Sequence, residues 1–127
     1  MRHDLLADVF SAIKNAEMVG KKEIIVGDSN LIKNILNILK DKEYIEGYHV
    51  LMKNNYQELI VKLKTKINEL KVVKPRHSFK KEEISKFKAR YLPGEGVGFL
   101  FVSTPNNKVI TDRELDNEGG IVIGYVY

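Results

Sequence analysis

The 127-residue chain contains no cysteine and no tryptophan, and only three of its residues are proline. Without cysteine it can form neither a disulfide framework nor a thiolate metal site, which fits the cytosol. No apolar run approaches the length of a membrane span, and a start that carries Asp4 and Asp8 is unlike a signal peptide. We therefore expect a soluble, unprocessed, cytoplasmic protein.

The sequence also lacks the residue patterns of metal sites, catalytic sites and phosphate-binding loops. His3, His49 and His77 lie far apart in the sequence, without the spacing of a metal-binding helix. Acidic residues between positions 112 and 118 alternate faces of a short predicted helix, near its positive N-terminus, so we expect no metal there. Glycines between 94 and 98 lack the Lys-Ser/Thr of a phosphate loop. The sequence predicts a protein that is not an enzyme and uses no metal or cofactor.

What the chain does have is an uneven charge distribution. Its net charge is +4. Residues 62 to 90 hold eleven basic and three acidic residues, so the rest of the chain is net negative. A field polarised in this way favours a polyanionic partner and gives that partner a preferred face. A solvated charged strand and helix face is the alternative explanation.

The first half of the chain predicts the order helix, strand, helix, strand, strand. Apolar residues at helical spacing predict a helix over residues 4 to 16, followed by a strand over 22 to 26. Asp28 or Ser29 can cap a second helix that ends near Lys42. Residues 44 to 52 and 56 to 63 predict a hairpin around Asn54-Asn55.

The second half predicts more strands and turns. Its elements are a strand over 66 to 73, a short helix over 81 to 87, a strand over 99 to 102 and a terminal strand over 121 to 127 beside it. Thr111 and Glu114 fit a capping box for a helix of one or two turns ending at Gly119. We predict an α+β fold in which an N-terminal α/β domain, residues 1–64, packs on a mostly β C-terminal domain, residues 65–127.

A polar loop follows the strand over 99 to 102. Its sequence, Ser103-Thr104-Pro105-Asn106-Asn107-Lys108, offers two hydroxyls, two carboxamides and one ammonium, without a paired nucleophile and base. These groups can donate and accept hydrogen bonds at the wide, shallow minor groove of A-form RNA. We expect the loop to read RNA while nearby cations contact phosphates and set the salt-dependent affinity.

A series of motifs spans nearly the whole chain. They are residues 4–8, 13–16 and 20–22 near the N-terminus, Lys74-Pro75-Arg76 and residues 87–93 in between, and Ser103-Thr104, residues 109–114, Gly119-Gly120 and residues 125–127 near the C-terminus. In this order the motifs resemble ribosomal protein S8 of the small subunit, and the two middle segments resemble its archaeal and eukaryotic branch. The resemblance implies a primary binder of small-subunit rRNA that contacts a stem of the central domain and supports subunit assembly.

The resemblance and the chemistry together give a set of candidate RNA-binding residues. In the first half these are Lys14, Asn15, Lys21 and Lys22, and in the second half Lys74, Arg76, Lys88, Arg90, Tyr91, Ser103, Thr104, Pro105, Asn106, Asn107, Lys108, Gly119 and Gly120. The chain departs from the family's usual pattern at Leu5, Pro105, Asn107 and Ile121, and relative to that pattern it has one inserted residue before Val109.

Several of these residues have a second explanation. Lys14 lies where a helix dipole favours a cation, Tyr91 suits a core anchor as well as a base-stacking residue, and Gly119-Gly120 fits a helix C-cap. The predicted partners are small-subunit rRNA, neighbouring ribosomal proteins and the protein's own messenger RNA, which would use the same surface. We expect a monomer outside the ribosome. The alternative function is a basic protein-interaction module without RNA specificity.

Overall fold

The computed structural model describes residues 5–105, 109–115 and 119–127. Two compact units account for the chain, Met1–Asn68 and Glu69–Tyr127. The first contains two helices and a three-stranded sheet, and the second is built around a four-stranded sheet. The predicted α+β class is confirmed.

Helices and strands in the first unit follow the predicted order. They are α1 (Leu5–Met18), β1 (Glu23–Gly27), α2 (Asn30–Asp41), β2 (Ile45–Lys53) and β3 (Tyr56–Leu63). The sheet order is β1-β3-β2, with both neighbouring pairs antiparallel. Both helices bury their apolar stripes; in α2 these residues are Ile32, Ile35, Leu36 and Leu39.

The start of α2 is fixed by a side-chain cap. Ser29 has an extended backbone, and its Oγ accepts a hydrogen bond from the Ile32 N–H at 3.0 Å. This bond satisfies one of the amides that a helix start leaves without an intrahelical partner. Of the two predicted capping residues, Ser29 is therefore the one that caps the helix.

Glu17, in the last turn of α1, binds a distant segment of the chain. Its carboxylate accepts hydrogen bonds from the backbone N–H groups of Thr65, Lys66 and Ile67 at 3.2, 3.2 and 2.9 Å. Charged acceptors make stronger hydrogen bonds than neutral ones. Residues 65–67 consequently belong to the first unit, and the division between units follows Asn68.

Strands and helices of the second unit surround a small apolar core. They are β4 (Leu70–Phe79), α3 (Ile84–Tyr91), β5 (Phe99–Ser103), β6 (Val109–Thr111) and β7 (Gly120–Val126). The sheet order is β4-β7-β5-β6, and each pair is antiparallel. Its core residues are Val73, Phe79, Leu100, Val102 and Val122.

Strand β4 differs from its prediction. It begins at Leu70 instead of residue 66, and it continues through Pro75 to Phe79. Between the pairs Val72 with Gly124 and His77 with Val122, residues 73–76 of β4 face only Ile123 of β7. Proline has no N–H to give to a strand ladder, so a bulge is where it is tolerated.

Helical segments of the second unit also end at other residues than predicted. Helix α3 reaches Tyr91 instead of residue 87, after a 3-10 turn over Lys81–Glu83. The predicted capping box at Thr111 is wrong: its hydroxyl donates to the Glu114 carboxylate at 2.9 Å, and makes no cap bond to backbone. A single 3-10 turn ends there at Glu114, not at Gly119.

Within the described ranges, no helix has both the length and the apolar character needed to cross a lipid bilayer.

Candidate nucleic-acid interface

Ends of all four strands in the second unit meet at one edge of the sheet. At this edge Ser103 pairs with Val109 and with Ile121, while Phe79 pairs with Gly120. Residues 103–105 and Gly119-Gly120 therefore lie side by side, although about fifteen residues separate them in the sequence. We call this part of the surface the loop edge.

Glycine is required at the loop edge for the packing of the sheet itself. A Cβ atom at Gly120 would overlap the Ser103 carbonyl, and one at Gly119 would overlap the Phe79 carbonyl. Neither glycine caps the preceding helical turn, which ends at Glu114. The two glycines thus let neighbouring backbones approach closely. The loop edge consequently has no side chain at these two positions.

Side chains along the loop edge are unequally accessible. Ser103 is half-buried and Pro105 is exposed, whereas Thr104 is only 6% exposed. Ile121, which pairs with Ser103, is 40% exposed and adds an apolar surface. Of the two predicted hydroxyls, that of Ser103 is the more available to a partner. The predicted contacts of Asn106, Asn107 and Lys108 lie outside the described residues.

The candidate residues on α3 lie at another level of the sheet. Both Lys88 and Tyr91 lead to the level of Leu100 on β5. Lys88 lies next to Asp112, whose carboxylate accepts a hydrogen bond from the Leu100 N–H. Tyr91 stacks on Tyr125, which pairs with Leu100 in the sheet. Leu100 precedes Ser103 by three strand residues, or about 10 Å. Lys88 and Tyr91 are therefore anchored about 10 Å from Ser103 along β5, while Phe87 of the same helix packs on Phe79 at the loop edge.

Lys88 faces a buried carboxylate. Asp112, with a side chain only 1% exposed, accepts a hydrogen bond from the Leu100 N–H at 2.8 Å through Oδ1. Its Oδ2 is buried without a hydrogen-bond partner, and the Lys88 Nζ lies 3.4 Å away. The sequence places Asp112 in an acidic cluster and in a family motif, but no local pattern connects it with Lys88.

Tyr91 belongs to a stack of three tyrosines. Its ring stacks on Tyr125 with centroids 5.2 Å apart, and Tyr125 stacks on Tyr127 at 6.2 Å. The Arg90 guanidinium lies 5.5 Å from the centroid of the Tyr91 ring. Tyr91 is half-buried and packs against the core of the second unit. These contacts account for an aromatic residue at this position through packing alone.

The bulge of β4 presents two cations. Lys74 and Arg76 are both exposed and flank Pro75 in the part of β4 that is not paired residue by residue with β7. Among the candidate phosphate contacts on described residues of the second unit, these two lie on a strand, whereas Lys88 and Arg90 lie on a helix. The candidate cations of the second unit are thus supplied by two elements, β4 and α3.

In the first unit the structure brings most of the predicted residues together. Asn15 and Lys21 line one groove with Ala12 and Val19, and Lys21 and Lys22 line a second groove. Lys14 is half-buried and does not lie at the end of α1, because that helix continues to Met18. An explanation of Lys14 from the helix dipole is correspondingly weaker.

Comparison with known families decides which protein family this is. The family model described as Ribosomal protein S8 matches residues 4–127. The chain belongs to the ribosomal protein S8 family. Among S8 relatives, small ribosomal subunit protein uS8 of Aeropyrum pernix is 44% identical, with 98% of this chain and 97% of that protein aligned. The uS8 proteins of Thermoplasma acidophilum and Archaeoglobus fulgidus are 38% and 37% identical over the full length of both chains.

Membership in the S8 family confirms the resemblance seen in the sequence. S8 proteins are structural proteins of the small ribosomal subunit, so this is not an enzyme, and its place is at the ribosome in the cytoplasm. Among the described residues there is no group of three or more His, Asp or Glu side chains arranged to hold a metal ion.

Proposed function

We propose that this S8 protein is a primary binder of small-subunit rRNA, contacting a stem of the central domain through the loop edge. The observation that carries the proposal is that Ser103 and Pro105 lie beside two glycines at an edge where four strands end. At the two glycine positions this surface has no side chain, so a ribose and base edge can come close to the backbone there. By holding one rRNA stem, the protein would support assembly of the subunit.

The chemistry of the edge suits A-form RNA. Its wide, shallow minor groove displays 2′-hydroxyls and base edges, which a serine hydroxyl can both donate to and accept from. The exposed cations Lys74, Arg76 and Arg90 are candidates for phosphate contacts that fix the register of the stem. The mostly buried Thr104 would shape the loop more than it touches the RNA.

Ser103→Ala tests the readout role of the loop edge. We expect it to lose about 1 kcal/mol of the preference for a bulged stem over a plain duplex, because one hydroxyl contact disappears. Binding of both RNAs at fixed salt measures the change. Ser85→Ala, which removes another exposed hydroxyl of the second unit, is the control and should leave the preference unchanged. Equal weakening for both RNAs would remove Ser103 from readout.

Lys88 and Arg90 should differ in their contributions to salt dependence. Arg90→Gln is expected to flatten the plot of log affinity against log salt by about one unit, as for one lost phosphate contact. Lys88→Gln should flatten it less, because the Lys88 ammonium already faces the Asp112 carboxylate. Titrations at four or more salt concentrations give the slopes. An unchanged slope for Arg90→Gln would mean that this guanidinium does not meet the RNA.

The same surface would serve one further proposed activity. Binding of the protein's own messenger RNA would require a stem of similar shape, and competition between that stem and rRNA would reveal it. We also propose that the protein is a monomer outside the ribosome. A basic protein-interaction module remains the alternative, and it would show no preference for bulged RNA over plain duplex.

A further inference from the structure

Strand β2 forms one edge of the three-stranded sheet. The sheet order is β1-β3-β2, so within the described ranges β2 is hydrogen-bonded to β3 alone. An edge strand directs every second N–H and C=O away from its partner, and proteins usually protect it with proline, lysine, a bulge or a short length. Strand β2 has 9 residues, with a shift of register only between Ile45 and Gly47. Residues 48–52 contain no proline, lysine, arginine or acidic residue, so this part of the edge is unprotected.

The other edge strands are short or protected. Strand β4 carries Pro75 and a bulge, and Lys71 and Lys74 are exposed on it. Strands β1 and β6 have only 5 and 3 residues, and β1 begins with a glutamate. Among the described edge strands, β2 therefore offers the longest run of backbone without a charge, a proline or a bulge.

Apolar side chains of β2 are uncovered at this edge. Val50 pairs with Leu59, which is 0% exposed, so both side chains project from the buried face of the sheet. Val50 is nevertheless 47% exposed, and Met52, on the same face, is 68% exposed. Interfaces between proteins are enriched in methionine and depleted of charged residues at their centre. An added strand would cover both side chains and continue the apolar face of the sheet.

We propose that residues 48–52 of β2 accept an extended segment of a neighbouring ribosomal protein, which adds a fourth strand to this sheet. Members of the S8 family are proteins of the small subunit, so other ribosomal proteins are the neighbours at hand. RNA is disfavoured as the occupant, because residues 48–52 offer its phosphates no lysine or arginine. The inference does not depend on the proposed RNA contacts.

The ends of the unprotected stretch define the chemistry of the added segment. Glu46 is exposed before it and Lys53 is exposed after it. Lys53 lies 3.6 Å from Glu58, a partly exposed pair that contributes little and can be exchanged. Because opposite charges stabilise cross-strand pairs, the segment should carry a basic residue opposite Glu46 and an acidic residue opposite Lys53. Between them it should be uncharged and apolar.

Amide hydrogen exchange of the wild-type protein tests the added strand. It is measured in the complete small subunit and in the complex of this protein with rRNA alone. In the complete subunit, alternate N–H groups of residues 48–52 should exchange at least about tenfold more slowly, as amides do when they gain an interstrand hydrogen bond. Equal rates in the two complexes would overturn the proposal. Uniform slowing of the whole stretch would indicate burial without a strand, and it would overturn the proposal as well.

The double substitution Val50→Lys with Met52→Lys places two charges on the edge, and lysine there opposes strand addition. Small subunits are assembled from rRNA, the variant and the remaining small-subunit proteins, and each protein is quantified. We expect one protein to fall by at least about tenfold, and its omission should restore fast exchange in wild-type β2. Ile25→Lys with Tyr56→Lys is the control, because it adds the same charge at two exposed residues outside β2. It should retain every protein, and full retention by both variants would contradict the proposal.

Two other occupants of the edge give different results, and either result would overturn the proposal. A second copy of the chain would produce a dimer of the free protein in sedimentation experiments, which the Val50 and Met52 variant abolishes. RNA would slow exchange of residues 48–52 already in the complex with rRNA alone, relative to the free protein. None of these measurements uses the preference for bulged RNA, so a failure of the proposed function remains distinguishable from a failure of this inference.

Discussion

Gly120→Ala is expected to destabilise the second unit by about 3 kcal/mol, at the upper end of what overpacking costs. The added Cβ would overlap the carbonyl of Ser103. That carbonyl cannot move aside easily, because Ser103 is paired with β6 on one side and with β7 on the other. The clash is therefore with fixed backbone, and relief requires that strand ends separate at the loop edge.

Chemical denaturation of the full chain measures the effect of Gly120→Ala. Gly94→Ala is the matched control in the same unit, since a Cβ there would meet only the Val97 Cγ2 at an ordinary contact distance of 3.8 Å. Its stability should change little. If Gly120→Ala were as stable as Gly94→Ala, the close approach of β7 to Ser103 would not exist in solution.

The effect on RNA binding follows from the same geometry. Because Gly120 positions β7 against Ser103, the variant should bind the bulged stem more weakly even at temperatures where it remains folded. Gly94→Ala should bind normally. A folded Gly120→Ala protein with unchanged preference for the bulged stem would show that readout does not depend on the loop edge.

Asp112→Ala is the second change with a large expected effect, about 3 kcal/mol of lost stability. It removes the acceptor of the buried Leu100 N–H and leaves that donor unsatisfied, which costs about 1–3 kcal/mol. It also removes the carboxylate that Lys88 approaches at 3.4 Å, but this loss adds little, because the Lys88 side chain is 43% exposed and water can solvate its ammonium. Both losses occur at one carboxylate, where the turn after β6 meets the start of β5.

A double-mutant cycle separates the two contributions. Asp112→Asn keeps an acceptor for Leu100 but removes the charge, so it should cost less than Asp112→Ala. If Lys88 acts through Asp112, Lys88→Gln should destabilise the wild type more than it destabilises the Asp112→Asn protein. Glu82→Ala, which alters an exposed carboxylate of the same unit, should change stability by less than about 0.5 kcal/mol. Additive effects of Lys88 and Asp112 would contradict a functional ion pair.

The same cycle shows whether a loss of RNA affinity in Lys88→Gln comes from lost stability or from a lost phosphate contact. A loss of affinity in Lys88→Gln that parallels a loss of stability would point to Asp112, whereas a flatter salt slope in a fully stable protein would point to phosphate. Arg90, whose guanidinium lies over Tyr91, does not share this ambiguity. For this reason Arg90 is the cleaner test of phosphate contacts on α3.

Local patterns determined much of the fold from the sequence alone. The apolar stripe and Ser29 predict α2, and the alternation on either side of Asn54-Asn55 predicts the hairpin of β2 and β3. Each of these signals lies within a few residues of the element that it specifies. Motifs spread along the chain likewise sufficed to identify the S8 family.

Tertiary structure decided the features that join distant parts of the chain. Glu17 binds residues 65–67, Lys88 faces Asp112, and Gly120 packs against Ser103. Strand β6 and the bulge of β4 were also not predicted, because their partners in the sheet are supplied by other segments. A side chain's own neighbours in sequence set its helix or strand preference, but hydrogen bonds and ion pairs depend on which segments meet in the folded chain. The sequence therefore determined the family and most of the helices and strands, and the folded structure determined which polar groups are paired with distant segments and which remain exposed.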